Sequence, residues 1–170
     1  MTLPDNRAPF LSPSEIRLVS GLCVFVFGTA LLPFAMVGLL GFPLELIAAV
    51  MLVSAFVGAR SPSTNGRRSA LGVFLFVAAL VSIGFAAIKT VSISYSLVLR
   101  TAHPEAAAPA NSEWLLTAML CVAAAATFGT ALWLWCAWSP RRCLAWAATY
   151  FFACPAALAV AWLLRFPVTV

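Results

Sequence analysis

Five long runs of apolar residues, with hardly a charge inside any of them, cover most of this chain. A helix needs about 20 such residues to cross ~30 Å of hydrocarbon. In lipid, backbone N–H and C=O groups must find partners inside the protein, which runs of this kind do as helices. The pattern predicts an all-α integral membrane protein, a bundle of about five transmembrane helices. The expected boundaries are about 13–37, 44–59, 69–89, 113–138 and 140–164. The polar stretches 1–15, 60–68 and roughly 100–113 are too short to bury cores of their own, so residues 1–170 read as a single membrane domain.

Local signals mark several helix ends. Ser12-Pro13-Ser14-Glu15 has the form of a capping box, with proline at the first helical position. Leu11 and Ile16 flank it as a hydrophobic staple. The first apolar run, 18–40, is longer than the apolar region of a signal peptide, and no small-x-small site follows it, so it reads as a retained anchor. Pro33 frees the Thr29 carbonyl and is expected to bend the first helix. Gly38-Leu39-Leu40-Gly41-Phe42-Pro43 reads as a turn, which leaves the second span only some 16 residues, or ~24 Å. Arg60–Ser69 is a polar loop. Beyond Lys89, Thr90, Ser92, Ser94 and Ser96 alternate with apolar residues, a period that favours strand. Ser92 and Ser96 also share a helical face, so 90–99 is read as helix continuing past the hydrocarbon, with an extended interfacial segment as the alternative. Ser139-Pro140 is expected to cap the fifth helix and Pro155 to kink it.

Alternation of the spans puts Arg7, Arg17, Arg60, Arg67, Arg68, Arg141 and Arg142 on one side, and Lys89, Arg100 and Arg165 on the other. Basic loops stay cytoplasmic. The N-terminus is therefore expected inside and the C-terminus outside, in a multi-pass protein of a bacterial inner (plasma) membrane. The basic excess sets topology and does not indicate nucleic-acid binding. Trp133, Trp135, Trp138 and Trp146 fall at the inner boundary, and Trp114 and Trp162 at the outer, as in an aromatic belt.

The same sparseness excludes chemistry. No ionisable residue is expected near mid-span, where one would mark an ion or proton route. His103 is the lone histidine, so two axial haem ligands are lacking. No metal-spaced Cys or carboxylate cluster, serine–base pair or phosphate loop stands out. The expectation is no cofactor, no metal and no enzyme activity. Cys23, Cys121, Cys136, Cys143 and Cys154 read as small packing residues, with Cys136 and Cys143 the pair placed to lie close.

Two constellations remain. Glu45, Lys89 and Arg165 fall near the outer boundary. Glu45, in the expected first turn of the second helix, gains from the helix dipole or pairs with one of the two cations. The second is a spacing: Ala145, Thr149, Ala153, Ala157 and Ala161 recur at every fourth position, as do Ala78, Ser82, Ala86, Thr90 and Ser94. Such stripes let helix backbones approach closely in lipid. They point to a non-catalytic membrane subunit or scaffold that packs on a membrane protein partner or self-associates within the lipid bilayer. An oligomeric channel or transporter for an uncharged solute, lined by Thr29, Ser82, Thr127, Thr130 and Thr149, is the first alternative. An immunity protein binding a membrane-active toxin is the second.

Overall fold

The computed structural model describes residues 11–34, 38–61 and 66–164. Among these every element is a helix: α1 (Pro13–Leu31), α2 (Gly38–Gly58), α3 (Gly66–Ala102), α4 (Asn111–Cys136), α5 (Pro140–Phe151) and α6 (Ala153–Leu164). Five stretches, with α5 and α6 counted as one, are long and apolar enough to cross a membrane. This suggests a multi-pass membrane protein.

The start of α1 follows its sequence signal. Ser12 accepts from the Glu15 backbone, and the Glu15 carboxylate accepts from the Ser12 backbone at 2.9 Å. Its end differs from expectation, because the helix stops at Leu31 instead of bending and continuing to 37. Pro33 has no N–H to give to Thr29, so the helical bonding runs out after Leu32, which itself keeps a helical backbone and bonds the Gly28 carbonyl. A single turn bond, Phe34 N–H to the Leu31 carbonyl, closes the chain there.

The second helix is longer than expected. It begins at Gly38 instead of 44, and Pro43 lies inside it. At 21 residues it reaches ~31 Å, a full span. Pro43 forfeits one bond, to the Leu39 carbonyl, close to the N-terminus where a lost donor costs least. Packing compensates, since α2 runs antiparallel to α1 with Gly41 against Leu32 and the Gly28 carbonyl, and Gly21 against Leu52. A Cβ on Gly41 would stand 2.9 Å from that carbonyl, so only glycine permits this approach.

Residues 90–99 continue α3 as helix, to a total of 37 residues. Their hydroxyls are absorbed by the helix itself or its packing: Ser96 Oγ donates to the Ser92 carbonyl, while Thr90 and Ser94 are buried. At ~55 Å, α3 outreaches the hydrocarbon thickness. It forms an antiparallel hairpin with α4, Gly72 resting on Trp135 and Phe76 on Phe128. α4 ends at Cys136, two residues before its expected limit, where Ala137 turns left-handed at φ 52°. Ser139 stands at the N-cap of α5, but its side chain makes no cap bond; its carbonyl receives the Arg142 and Cys143 N–H groups.

The kink expected at Pro155 is a break. Pro155 cannot donate to Phe151, and the chain passes through Phe152 (φ −78°, ψ −4°) before resuming as α6. This break reassigns neighbours: α5 lies on α4, whereas α6 seats between α1 and α3. The core joins the helices through a column of rings. Trp135 stacks on Phe56 at 5.0 Å and Phe56 on Phe76 at 4.0 Å. Phe128 continues the column and stacks on Tyr150 at 4.2 Å.

Candidate functional site

Polar groups gather at two levels of the bundle. The first is the end where α1 begins and α4 meets α5. Glu15, besides completing the cap of α1, receives Arg142 Nε at 2.7 Å and pairs with its Nη2. The Glu15 side chain is 4% exposed and that of Arg142 45%. The guanidinium also lies over the Trp138 ring at 4.7 Å, an arrangement of cation over π face. Trp135 Nε1 donates to the Phe56 carbonyl at 2.8 Å, and Arg60 lies over the Trp135 ring at 5.3 Å. Trp135 and Trp146 are thus buried packing residues rather than members of an interfacial belt, while Trp133 is exposed. This end is a latch that ties four helices, and its groups are spent on one another.

The second level is inside the bundle. Because α2 starts at Gly38, Glu45 does not stand in its first turn. Residue 48 is the midpoint of α2, so Glu45 lies three residues, ~4.5 Å, from the middle of that helix, facing Thr29 near the end of α1. The dipole argument for Glu45 therefore lapses. Thr29 Oγ1 donates to Glu45 Oε1 at 2.6 Å, and Gly28 makes room, since a Cβ there would stand 3.0 Å from the same oxygen. Among the described residues Glu45 forms no ion pair with Lys89. Arg165, the other expected partner, lies outside the described residues.

Further polar groups share this interior. Cys154 sits beside the Cys121 thiol and the Thr90 hydroxyl, and Glu45 is within electrostatic reach of it. The Thr90 hydroxyl and the Tyr150 phenol are buried, and neither makes a hydrogen bond of good geometry. Each of the six helices thus places at least one polar or thiol group here. The five cysteines are free; Cys136 and Cys143 are near neighbours, as expected, and Cys121 lies beside Cys154. Nothing local signalled this convergence, as its members are spread from residue 29 to 154.

The small-residue stripes divide. Ala153, Ala157 and Ala161 are buried where α6 packs, whereas Ala145 and Thr149 are exposed on α5. On α3, Ala86 is buried and Ala78 and Ser82 half-buried. The stripe that looks continuous in sequence is split by the break at Phe152. Two grooves flank α5. One, about 470 Å³, has Ala125, Gly129 and Ala147 in its lining and Ala126, Thr130, Trp133 and Leu144 exposed along it. The other, about 360 Å³, lies toward α1 beside Cys23 and Phe27.

The hydroxyl residues proposed to line a solute path are not brought together. Thr29 is buried against Glu45, while Thr130 and Thr149 are exposed and bonded to carbonyls of their own helices. Thr127 is likewise bonded within α4. Among the described residues no three His, Cys, Asp or Glu side chains are grouped to hold a metal ion. Comparison with known proteins finds no matching family model, no matching curated protein and no matching solved structure.

Proposed function

We propose that this chain is a non-catalytic integral membrane subunit, packing through the α4–α5 groove on a helix of another membrane protein or on a second copy of itself. The observation behind this reading is the groove between α4 and α5, along which Ala126 and Thr130 are exposed beside the close approach of Gly129 to Ala147. Lipid tails are as apolar as leucine, so helices associate in a membrane where small residues permit close backbone approach. Gly129, Ala125 and Ala147 supply such a floor, with Ala126 and Thr130 at its edge. The Thr130 hydroxyl is already bonded to the Ala126 carbonyl, so it can be covered without loss. In this reading the arginine-rich end faces the cytoplasm of a bacterial inner membrane, with the N-terminus inside and the C-terminus outside.

The test is the size of the full-length protein extracted in mild detergent, measured by native mass spectrometry beside an Ala126→Leu/Thr130→Leu variant. Both positions are exposed, so the leucines fill the groove without striking the core. A complex larger than one chain that is lost in the variant supports the proposal. A single chain in the wild type, or a complex indifferent to the filled groove, overturns it. Labelling of single cysteines at 65 and 107 should report opposite sides of the membrane; the same side for both would sink the five-span arrangement.

A further inference from the structure

The carboxylate of Glu45 opens onto a cavity of about 400 Å³ between the end of α1, the first half of α2 and the middle of α3. That volume falls in the range of small-molecule sites. Its remaining walls are hydrocarbon: Leu32 and Phe42 on one side, Ile88 and Val91 on the other. Phe42 is 67% exposed and Ile88 65%, so the cavity opens sideways from the bundle. In a membrane that side is lipid.

A carboxylate in such surroundings is costly unless a countercharge accompanies it. Thr29 supplies one hydrogen bond to Oε1, and among the described residues no Lys or Arg reaches either oxygen. One carboxylate among aliphatic and aromatic walls cannot serve a bare metal ion, which demands a shell of several oxygens. An organic cation fits both halves of the site: its charge faces Glu45, and its apolar body fills the space beside Phe42 and Ile88. We infer that this cavity is a binding site for small lipophilic ammonium ions, admitted laterally from the bilayer, with Glu45 as the countercharge and Thr29 as the residue that orients it.

Gly84 provides a clean test. Gly84 lines the cavity and a Cβ placed on it meets nothing within 4 Å, so Gly84→Leu extends a side chain into the cavity from an unobstructed position. Glu45→Gln keeps an oxygen for Thr29 and removes only the charge. The measurement is equilibrium binding of radiolabelled benzyltrimethylammonium to the full chain in lipid nanodiscs, with empty nanodiscs subtracted and folding monitored by circular dichroism. The wild type should bind saturably, and Glu45→Gln and Gly84→Leu should each weaken binding at least tenfold. Neopentylbenzene, the same shape with carbon in place of nitrogen, should fail to compete. The groove variant Ala126→Leu/Thr130→Leu should bind as the wild type does, which separates this site from the assembly surface. The inference is overturned if the wild type binds no more than empty nanodiscs, if either cavity variant binds unchanged, or if neopentylbenzene displaces the cation.

Discussion

Glu15 and Arg142, 127 residues apart in sequence, form a two-point ion pair that joins the first turn of α1 to the first turn of α5. The same carboxylate caps its own helix through Ser12, so one side chain closes both a local and a long-range connection. The pair lies where α4 hands over to α5, with the Arg142 guanidinium over the Trp138 ring. It holds together the end of the bundle that the arginines crowd.

Removing Arg142 should therefore destabilise more than neutralising Glu15. Arg142→Ala strands a nearly buried carboxylate, whereas Glu15→Gln leaves an arginine that is half exposed and free to turn to water. The cost of Arg142→Ala should be about 1–3 kcal/mol, below that of a fully buried pair because the guanidinium is partly solvated. Reversible unfolding in mixed micelles measures it. A larger loss from Glu15→Gln than from Arg142→Ala would contradict this account.

Two glycines should respond in opposite ways to alanine. At Gly28 the new methyl would meet Glu45 Oε1 at 3.0 Å, Leu44 Cβ at 3.2 Å and the Glu45 backbone nitrogen at 3.3 Å. Two of these three are fixed by α2, so the α1–α2 pair must separate, at a cost of about 1–3 kcal/mol. At Gly84 the methyl meets nothing, and the helix gains up to ~1 kcal/mol from the stiffer residue. Melting temperatures of the two variants should fall on opposite sides of the wild type.

The alanine stripe should divide in the same manner. Ala157 has no exposed surface, so Ala157→Leu overpacks the seat of α6 and should cost about 1–3 kcal/mol. Ala145 is exposed on α5, so Ala145→Leu should leave stability within ~0.5 kcal/mol. Equal effects at the two positions, read as unfolding midpoints, would mean that the stripe acts as one continuous face despite the break at Phe152.

Features governed by neighbouring residues were legible in advance. The capping box at Ser12 follows from bonds within one turn of helix, and so do the disturbances at Pro33 and Pro155, though each reads as a bend where the helix in fact stops or breaks. The stretch around Gly41 and Pro43 reads as a turn because both residues usually interrupt helices. It is helical because one proline near a helix N-terminus forfeits a single bond, and Gly41 is needed where α1 comes close. That second condition belongs to the hairpin and not to the segment. Moving the start of α2 to Gly38 also moved Glu45 from a helix end to the interior of α2, and with it the reading of the site.

The sequence by itself determined the class of structure, an all-helical chain with five stretches long and apolar enough to cross a membrane, because chain length and hydropathy alone decide what can span lipid. It also placed the small residues at helical spacing. Packing settles which of them are consumed inside, since the turn at Phe152 sends Ala153, Ala157 and Ala161 inward and leaves Ala145 and Thr149 outside. It alone brought Thr29 to Glu45 and Arg142 to Glu15. The physical reason is the range of the forces. Helix formation and hydrophobicity act over a few residues, while a buried charge is matched by whatever group the packing of distant helices brings within about 3 Å of it.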